Sequence, residues 1–213
     1  MGGLEVRLTD LRSVLCLGAH ADDIEIGCGG TVLRLLEENQ RLEVHWIVLS
    51  APDERSTEAR DSANLMLDAA GLANIRVADF RETYFPYVGD ELKAYVGKLG
   101  SELAPDVIFT HWREDLHQDH RMVSELTWNT FRNHLILEYE IPKYDGDLGI
   151  PNLFVPLEEA YITKRNAIII ESFVSQKEKH WFDDATFRAL PRLRGMESAS
   201  LYAEAFYARK IIL

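Results

Sequence analysis

The first two-thirds of the chain alternates between short apolar runs and longer amphipathic stretches. Apolar runs such as Val14-Leu15-Cys16-Leu17 are typical of buried strands, whereas apolar residues that recur every three or four positions are typical of helices. The pattern predicts strands at 13–18, 42–49, 75–78 and 106–110, and helices at 29–39, 57–70, 91–103 and 119–133. This alternation predicts an α/β fold, a Rossmann-like and mostly parallel sheet with helices on both faces.

The last third of the chain has a different pattern. It predicts a strand at 135–141, a loop at 143–151, and helices at 157–173, 176–190 and 199–207. No repeat, low-complexity segment or linker interrupts the sequence. A single domain over residues 1–213, with a helical C-terminal third, is the simplest interpretation.

Composition restricts the partners and the compartment. The 213 residues carry a formal net charge of −12, with no block of Lys and Arg to offset it. Such a surface repels nucleic acid and anionic lipid, so we expect neither as a partner. The chain has no apolar run of about 18 residues and no signal-peptide pattern at its N-terminus, so we expect a cytoplasmic protein without a membrane anchor. Its two cysteines, Cys16 and Cys28, provide no disulfide framework.

A group of ionisable residues directly follows the first predicted strand: His20, Asp22, Asp23 and Glu25. Carboxylates crowded at the mouth of a buried strand repel one another, so they favour a bound cation. Imidazole plus carboxylate is the ligand mix of catalytic zinc and related divalent ions. Because Asp22 and Asp23 are adjacent, one can bind a metal while the other accepts a proton from water. The alternative is a solvated acidic loop that caps the following helix.

A second cluster, His117-Gln118-Asp119-His120, directly follows the strand predicted at 106–110. Ligands of open α/β sheets bind beyond the carboxyl ends of the strands, so both clusters are expected at one edge. His117 and His120 can share a helix face, and Asp119 can orient an imidazole, although a polar helix start would show the same spacing. Together the two clusters predict a mononuclear metal hydrolase. His111 either lines this pocket or merely ends the strand.

The glycines of Gly27-Cys28-Gly29-Gly30 raise dinucleotide binding as a rival interpretation. The spacing fails, because the third glycine of the G-x-G-x-x-G pattern would fall on Val32. Three carboxylates would also repel a pyrophosphate. We expect these glycines to let the turn pass close to the metal site and the helix pack tightly on the sheet.

Both clusters resemble the motifs of the PIG-L/LmbE-like family of metal-dependent N-deacetylases. The family's Ala-His-Pro-Asp-Asp-x-Glu is matched by Ala19-His20-Ala21-Asp22-Asp23-Ile24-Glu25, and its His-x-Asp-His by residues 117–120. Ser175-Gln176 and Tyr202-Ala203-Glu204-Ala205-Phe206 also resemble family sequence. Ala21 replaces the family's proline, which loosens the turn but removes no functional group.

The resemblance implies a metal centre and a reaction. The implied metal ligands are His20, Asp23 and His120. The metal would be zinc, or else another divalent ion such as iron, manganese or cobalt. The implied reaction is hydrolysis of an N-acetylated amino sugar or its conjugate, with release of acetate.

The resemblance also implies the catalytic roles. Asp22 would be the general base that deprotonates the attacking water. His117 would steady the oxyanion or protonate the leaving amine, Asp119 would orient a histidine, and Glu25 would support the ligands.

Residues that recognise a substrate are harder to identify from the sequence. Arg60, after the second strand, and Trp112 and Arg113, after the fourth, are candidates for clamping or stacking on a sugar. Arg55 could also reach substrate oxygens. Polar and aromatic residues are common on protein surfaces, so each of these residues could also be an ordinary surface residue that contacts no substrate.

Two further functions stay open at this point. The chain could be an amidase that acts on a non-sugar acyl amide, or a sugar-binding relative without turnover, although the complete set of site residues argues against the latter.

The oligomeric state also stays open, with a homo-oligomer as one alternative. Apolar residues near the C-terminus either close the domain or pack against a second copy: Leu201, Phe206, Ile211, Ile212 and Leu213.

Overall fold

The computed structural model describes residue 8 and residues 10–212. Its strands are β1 (Ser13–Gly18), β2 (Glu43–Val48), β3 (Leu72–Val77), β4 (Val107–His111), β5 (Leu135–Tyr139), β6 (Leu153–Leu157) and β7 (Tyr202–Tyr207). Its α-helices are α1 (Asp23–Glu38), α2 (Glu54–Met66), α3 (Gly89–Glu102), α4 (Gln118–Thr130), α5 (Glu159–Ser172) and α6 (Asp184–Glu197). Short 3₁₀ turns cover Phe85–Tyr87 and Val174–Gln176.

The seven strands of the described residues form one sheet in the order β3-β2-β1-β4-β5-β7-β6. The first five of these are parallel, and β7 pairs antiparallel with both β5 and β6. The strand order reverses at β1, so β1 and β4 meet at the centre, where an open α/β sheet leaves a crevice beyond its carboxyl edge.

Helices cover both faces of the sheet, as the sequence predicted. Successive residues of β1 point to opposite faces. Val14 and Cys16 belong to one apolar cluster with residues of α1, α2 and α5, whereas Leu15 and Leu17 belong to another with residues of α3 and α4. The predicted fold class, a Rossmann-like α/β sheet, is therefore confirmed.

The C-terminal third is less helical than the sequence predicted. The helix predicted at 199–207 is wrong, because Tyr202–Tyr207 is strand β7, and β6 was not predicted at all. Alanine and glutamate favour helix locally, but pairing on both sides and burial on both faces override that preference. The helix predicted at 176–190 is displaced to Asp184–Glu197.

Two other boundaries matter for the site. Helix α1 begins at Asp23, several residues before the predicted start at 29, so the first acidic cluster lies in its first turn. Helix α2 likewise begins earlier than predicted, at Glu54, directly beyond β2.

The apolar residues near the C-terminus separate into buried and exposed positions. Phe206 is buried and closes the core, whereas Leu201, Ile211 and Ile212 are exposed. Leu213 lies outside the described residues. Among the described residues, no helix combines the length and apolar character needed to cross a membrane.

Candidate metal and catalytic site

The two predicted clusters meet at the carboxyl edge of β1 and β4. His20 lies in the turn from β1 into α1, Asp23 is the first residue of α1, and His120 lies in the first turn of α4. Their donor atoms form a compact triangle. His20 Nδ1 is 3.2 Å from His120 Nε2 and 3.4 Å from Asp23 Oδ2. The distance from His120 Nε2 to Asp23 Oδ2 is 3.6 Å. Ligands of a tetrahedral zinc ion, at bond lengths of about 2.0–2.2 Å, lie about 3.3–3.6 Å from one another, so the triangle has the size of a zinc site.

Two carboxylates orient the imidazoles so that their lone pairs face the centre of this triangle. His20 Nε2 is 3.2 Å from Asp119 Oδ2, and His120 Nδ1 is 3.0 Å from Asp115 Oδ2. Donation to these carboxylates assigns each ring proton to the remote nitrogen. In the neutral form of both rings, the facing nitrogens and the Asp23 carboxylate are then all acceptors. This donor set fits a divalent cation.

Asp119 is itself held firmly. The side chain is fully buried, and it accepts the backbone N–H groups of Thr83 at 2.6 Å and Phe85 at 3.2 Å. Thr83 adopts a φ of 66°, in the left-handed region that residues other than glycine seldom occupy. Backbone strain of this kind is commonly stored at functional sites, and here it aims an N–H group at the carboxylate that orients His20.

The pKa shifts show that the buried carboxylates of this cluster stabilise positive charge beside them. Burial lowers the pKa of His20, but the charge of Asp23 and the hydrogen bond to Asp119 outweigh it and raise the value to about 10. Burial raises the pKa of Asp23, but its interactions with His120, His111 and His20 hold it well below its usual range. Burial raises the pKa of Asp115, but its hydrogen bond with His120 and the charge of that residue outweigh this effect and lower the value to about 2.

His111, left open by the sequence, lines this centre. The imidazole is fully buried, stacks on His120 with ring centroids 3.9 Å apart, and places Nε2 3.2 Å from Asp23 Oδ2. The same Nε2 accepts the Ala19 N–H at 3.0 Å, so its lone pair is occupied. Burial, followed by the charge of His120, lowers the pKa of His111 to about 4. His111 therefore packs as a neutral imidazole against His120 and Asp23.

Asp22 lies at the N-terminus of α1 beside the triangle. Its carboxylate makes no capping hydrogen bond to the helix, although the side chain is largely buried. Arg55 Nη2 approaches Asp22 Oδ1 at 3.3 Å, and the Arg55 guanidinium lies over the Phe173 ring. The Asp22 carboxylate is therefore paired with Arg55 and not with the helix backbone.

His117 lies on the open side of the same centre. It is the N-cap of α4, and its Nδ1 accepts the Asp119 N–H at 3.3 Å. The proton of the neutral ring is therefore on Nε2, which is available as a donor. Burial lowers the pKa of His117, and the charges of His120 and His20 lower it further.

A family model described as PIG-L: GlcNAc-PI de-N-acetylase matches residues 15–131, more than half of the chain and both clusters. The chain belongs to the PIG-L family. This membership confirms the predicted resemblance and the predicted enzyme class, an amide-hydrolysing deacetylase.

Individual relatives support the same family. The chain is 26% identical over 170 residues to the uncharacterized deacetylase YaiS of Escherichia coli, an alignment covering 74% of this chain and 89% of YaiS. The N,N'-diacetylchitobiose deacetylase of Pyrococcus horikoshii shares the fold, with a TM-score of 0.68, 23% identity, and coverage of 92% of this chain and 83% of the other. GalB, a 4-carboxy-2-hydroxymuconate hydratase of Pseudomonas putida, shares it at a TM-score of 0.75, 16% identity, and coverage of 95% and 98%. The fold alone therefore does not fix the reaction.

The predicted substrate-binding residues of this PIG-L family protein make contacts elsewhere in the fold. Arg60 donates to the Val77 carbonyl, and Trp112 stacks on Tyr207 with ring centroids 4.6 Å apart. Arg113 lines a surface depression that also includes Trp128. Their roles in substrate binding stay predictions.

Sequence reasoning missed Asp115. This carboxylate lies in the loop between β4 and α4, and its spacing from His120 is not that of a helix face. Only the conformation of this loop places the Asp115 carboxylate beside the His120 imidazole. A buried acid directly after a central strand is the signal that could have identified it.

Glu25, predicted to support the ligands, is fully buried in the first turn of α1. Its carboxylate oxygens have no hydrogen-bond partner among the described residues. Burial raises the pKa of this group to about 8. The Glu25 side chain therefore lies in the interior in its protonated form.

Proposed function

We propose that this protein is a zinc-dependent deacetylase that removes the N-acetyl group of an amino sugar or amino-sugar conjugate. The observation that carries the proposal is the triangle of lone pairs from His20, Asp23 and His120, with the uncapped carboxylate of Asp22 beside it. The sugar is supported by the description of the family model, a de-N-acetylase of GlcNAc-PI.

The proposed ligands are His20, Asp23 and His120, and Asp119 and Asp115 hold the two imidazoles in the ligating orientation. Bound zinc would polarise the acyl carbonyl and lower the pKa of water to about 7. Two other sets of three side chains around this centre have donor atoms close enough to hold a metal ion: His20, His117 and His120, and Asp23, His111 and His120. His117 is left free for the substrate, and His111 accepts a backbone N–H.

The chain's own residues account for the proton transfers. Asp22 accepts a proton as water attacks the acetyl carbonyl carbon, and the Arg55 guanidinium steadies its negative charge before the transfer. His117 donates a hydrogen bond from Nε2 to the oxygen that becomes negative. The proton held by Asp22 then passes to the nitrogen as the C–N bond breaks. The products are acetate and the free amine.

Acetate release from a panel of N-acetyl amino sugars and their conjugates tests the proposal. We expect release from at least one sugar by the zinc-loaded protein, loss of release after chelation, and recovery when zinc is restored. Zinc binding without release from any sugar in the panel would refute the proposed substrate class. Failure to bind zinc would refute the whole proposal.

A second candidate is an amidase whose substrate carries a large apolar group. Leu116 and Ile150, in the loops after β4 and β5, are 57% and 91% exposed. These loops are joined, because the Leu116 N–H donates to Asp147 at 2.7 Å. An apolar acyl amide in the same panel separates this candidate from the sugar deacetylase.

We also propose that residues 1–213 form a single domain. The support is that all the strands of the described residues belong to the same sheet.

A further inference from the structure

Helix α1 carries Asp23 in its first turn, and a carboxylate from a distant part of the chain holds this helix at its middle. Glu204 of β7 accepts the Gly30 N–H at Oε1 (2.9 Å) and the Thr31 N–H at Oε2 (2.7 Å). Both N–H groups lie inside the helix, beyond the first four that every helix leaves free. The helix backbone is therefore anchored to the sheet through both oxygens of one buried side chain.

Arg165 of α5 compensates the charge of Glu204. Its side chain is 1% exposed, and Nη1 donates to Glu204 Oε1 at 2.9 Å. Its other nitrogens donate to Asn166 Oδ1 and to the Phe187 carbonyl. A buried pair with these hydrogen bonds tolerates burial, but removal of one partner leaves the other charge uncompensated.

The helix fits this carboxylate closely at Gly30. A Cβ atom at Gly30 would lie 2.7 Å from Leu157 Cδ1 and 2.9 Å from Glu204 Oε1, so a side chain there would push the carboxylate away. Glycine costs about 1 kcal/mol of helix propensity relative to alanine. Here the absence of a side chain at Gly30 lets the Glu204 carboxylate bind the helix backbone directly.

We propose that Glu204, neutralised by Arg165, is a positioning residue that sets where α1 lies and so places Asp22 and Asp23 against His20 and His120. Gly30 is seven residues from Asp23, about 10 Å along the helix axis. A displacement at Gly30 is therefore carried to the first turn by the helix itself. Misplacement of reacting groups by about 1 Å can cost about 100-fold in rate.

Glu204→Gln tests the proposal with little change in shape. The two oxygens of Glu204 accept three donors, whereas glutamine offers one acceptor oxygen and turns an NH₂ group toward the remaining donors. Glu204→Asp is the second variant, because it keeps the charge but its shorter side chain cannot reach both helix N–H groups. Leu99→Ala, in the core on the opposite face of the sheet, serves as the control for lost stability.

The primary readouts are zinc affinity, from competition with a chromophoric chelator, and amide hydrogen exchange over residues 23–31. We expect both Glu204 variants to bind zinc about 10-fold or more weakly and to exchange faster in this segment, whereas Leu99→Ala changes neither. We also expect kcat to fall about 10- to 100-fold with little change in KM.

Wild-type zinc affinity and exchange in a folded Glu204 variant would overturn the proposal, as would an equal loss in Leu99→Ala. The catalytic and zinc readouts rest on the proposed function, but the exchange measurement does not. If the wild-type protein binds no zinc or releases no acetate, the proposed function fails, while exchange over residues 23–31 still decides the role of Glu204.

Discussion

Asp115→Asn is expected to weaken zinc binding with little effect on the fold. Asp115 Oδ2 accepts from His120 Nδ1 at 3.0 Å and from Lys143 Nζ at 2.8 Å, and Oδ1 accepts the His117 N–H at 2.7 Å. Both oxygens therefore face donors. An asparagine must turn its NH₂ group toward at least one of them, so either the imidazole of His120 or the start of α4 loses its support.

The expected size of this effect follows from the proposed role of His120 as a metal ligand that Asp115 orients. Loss of the carboxylate that orients a ligating histidine typically costs about 10- to 100-fold in metal affinity, or about 1.4–2.7 kcal/mol. The assay is competition for zinc against a chromophoric chelator at fixed pH. Thermal unfolding of the metal-free variant monitors the fold.

Asp147→Asn is the matched control. Asp147 accepts from the same Lys143 ammonium, at 2.6 and 2.7 Å, and from the Leu116 N–H, but it does not touch His120. We expect its zinc affinity to stay near that of the wild type. Wild-type affinity in Asp115→Asn, or an equal loss in Asp147→Asn, would refute the assignment of Asp115 as the support of a ligand.

Three more variants test other parts of the account. His117→Gln should lower kcat by about 100-fold or more while zinc affinity is retained, because the proposed role of Nε2 is to donate to the oxyanion; weakened zinc binding would instead make His117 a ligand. Gly27→Ala should lower the free energy of unfolding by about 1–3 kcal/mol or more, because an added Cβ would overlap the Tyr139 ring. Gly97→Ala, inside α3 with nothing within 4 Å of the added Cβ, should raise it by about 0.5–1 kcal/mol. Equal unfolding midpoints for the two glycine variants in urea would contradict this packing.

The sequence predicted the sheet and the ligand clusters because these depend on local patterns. The apolar run of β1 is buried on both faces, and the polar residues after β1 and β4 reach the same edge by the geometry of parallel strands. His20 and His120 could therefore be brought together without knowledge of any loop.

The parts that could not be predicted depend on long-range contacts. Strand β7 contains the helix-favouring run Ala203-Glu204-Ala205 between aromatic residues, and its pairing with β5 and β6 makes it a strand. Asp115 reaches His120 through a loop conformation that no periodicity encodes. Glu204 similarly acts on α1 from a strand far along the chain.

The most direct test of the central claim is acetate release by Asp22→Asn and by wild-type protein, compared at equal zinc occupancy on a substrate that the wild type deacetylates. The account predicts that the variant binds zinc normally and loses about 100- to 10,000-fold in kcat, because the proton acceptor is gone while His20, Asp23 and His120 remain. Wild-type turnover by the zinc-loaded variant would contradict the assignment of Asp22, and with it the proposed mechanism.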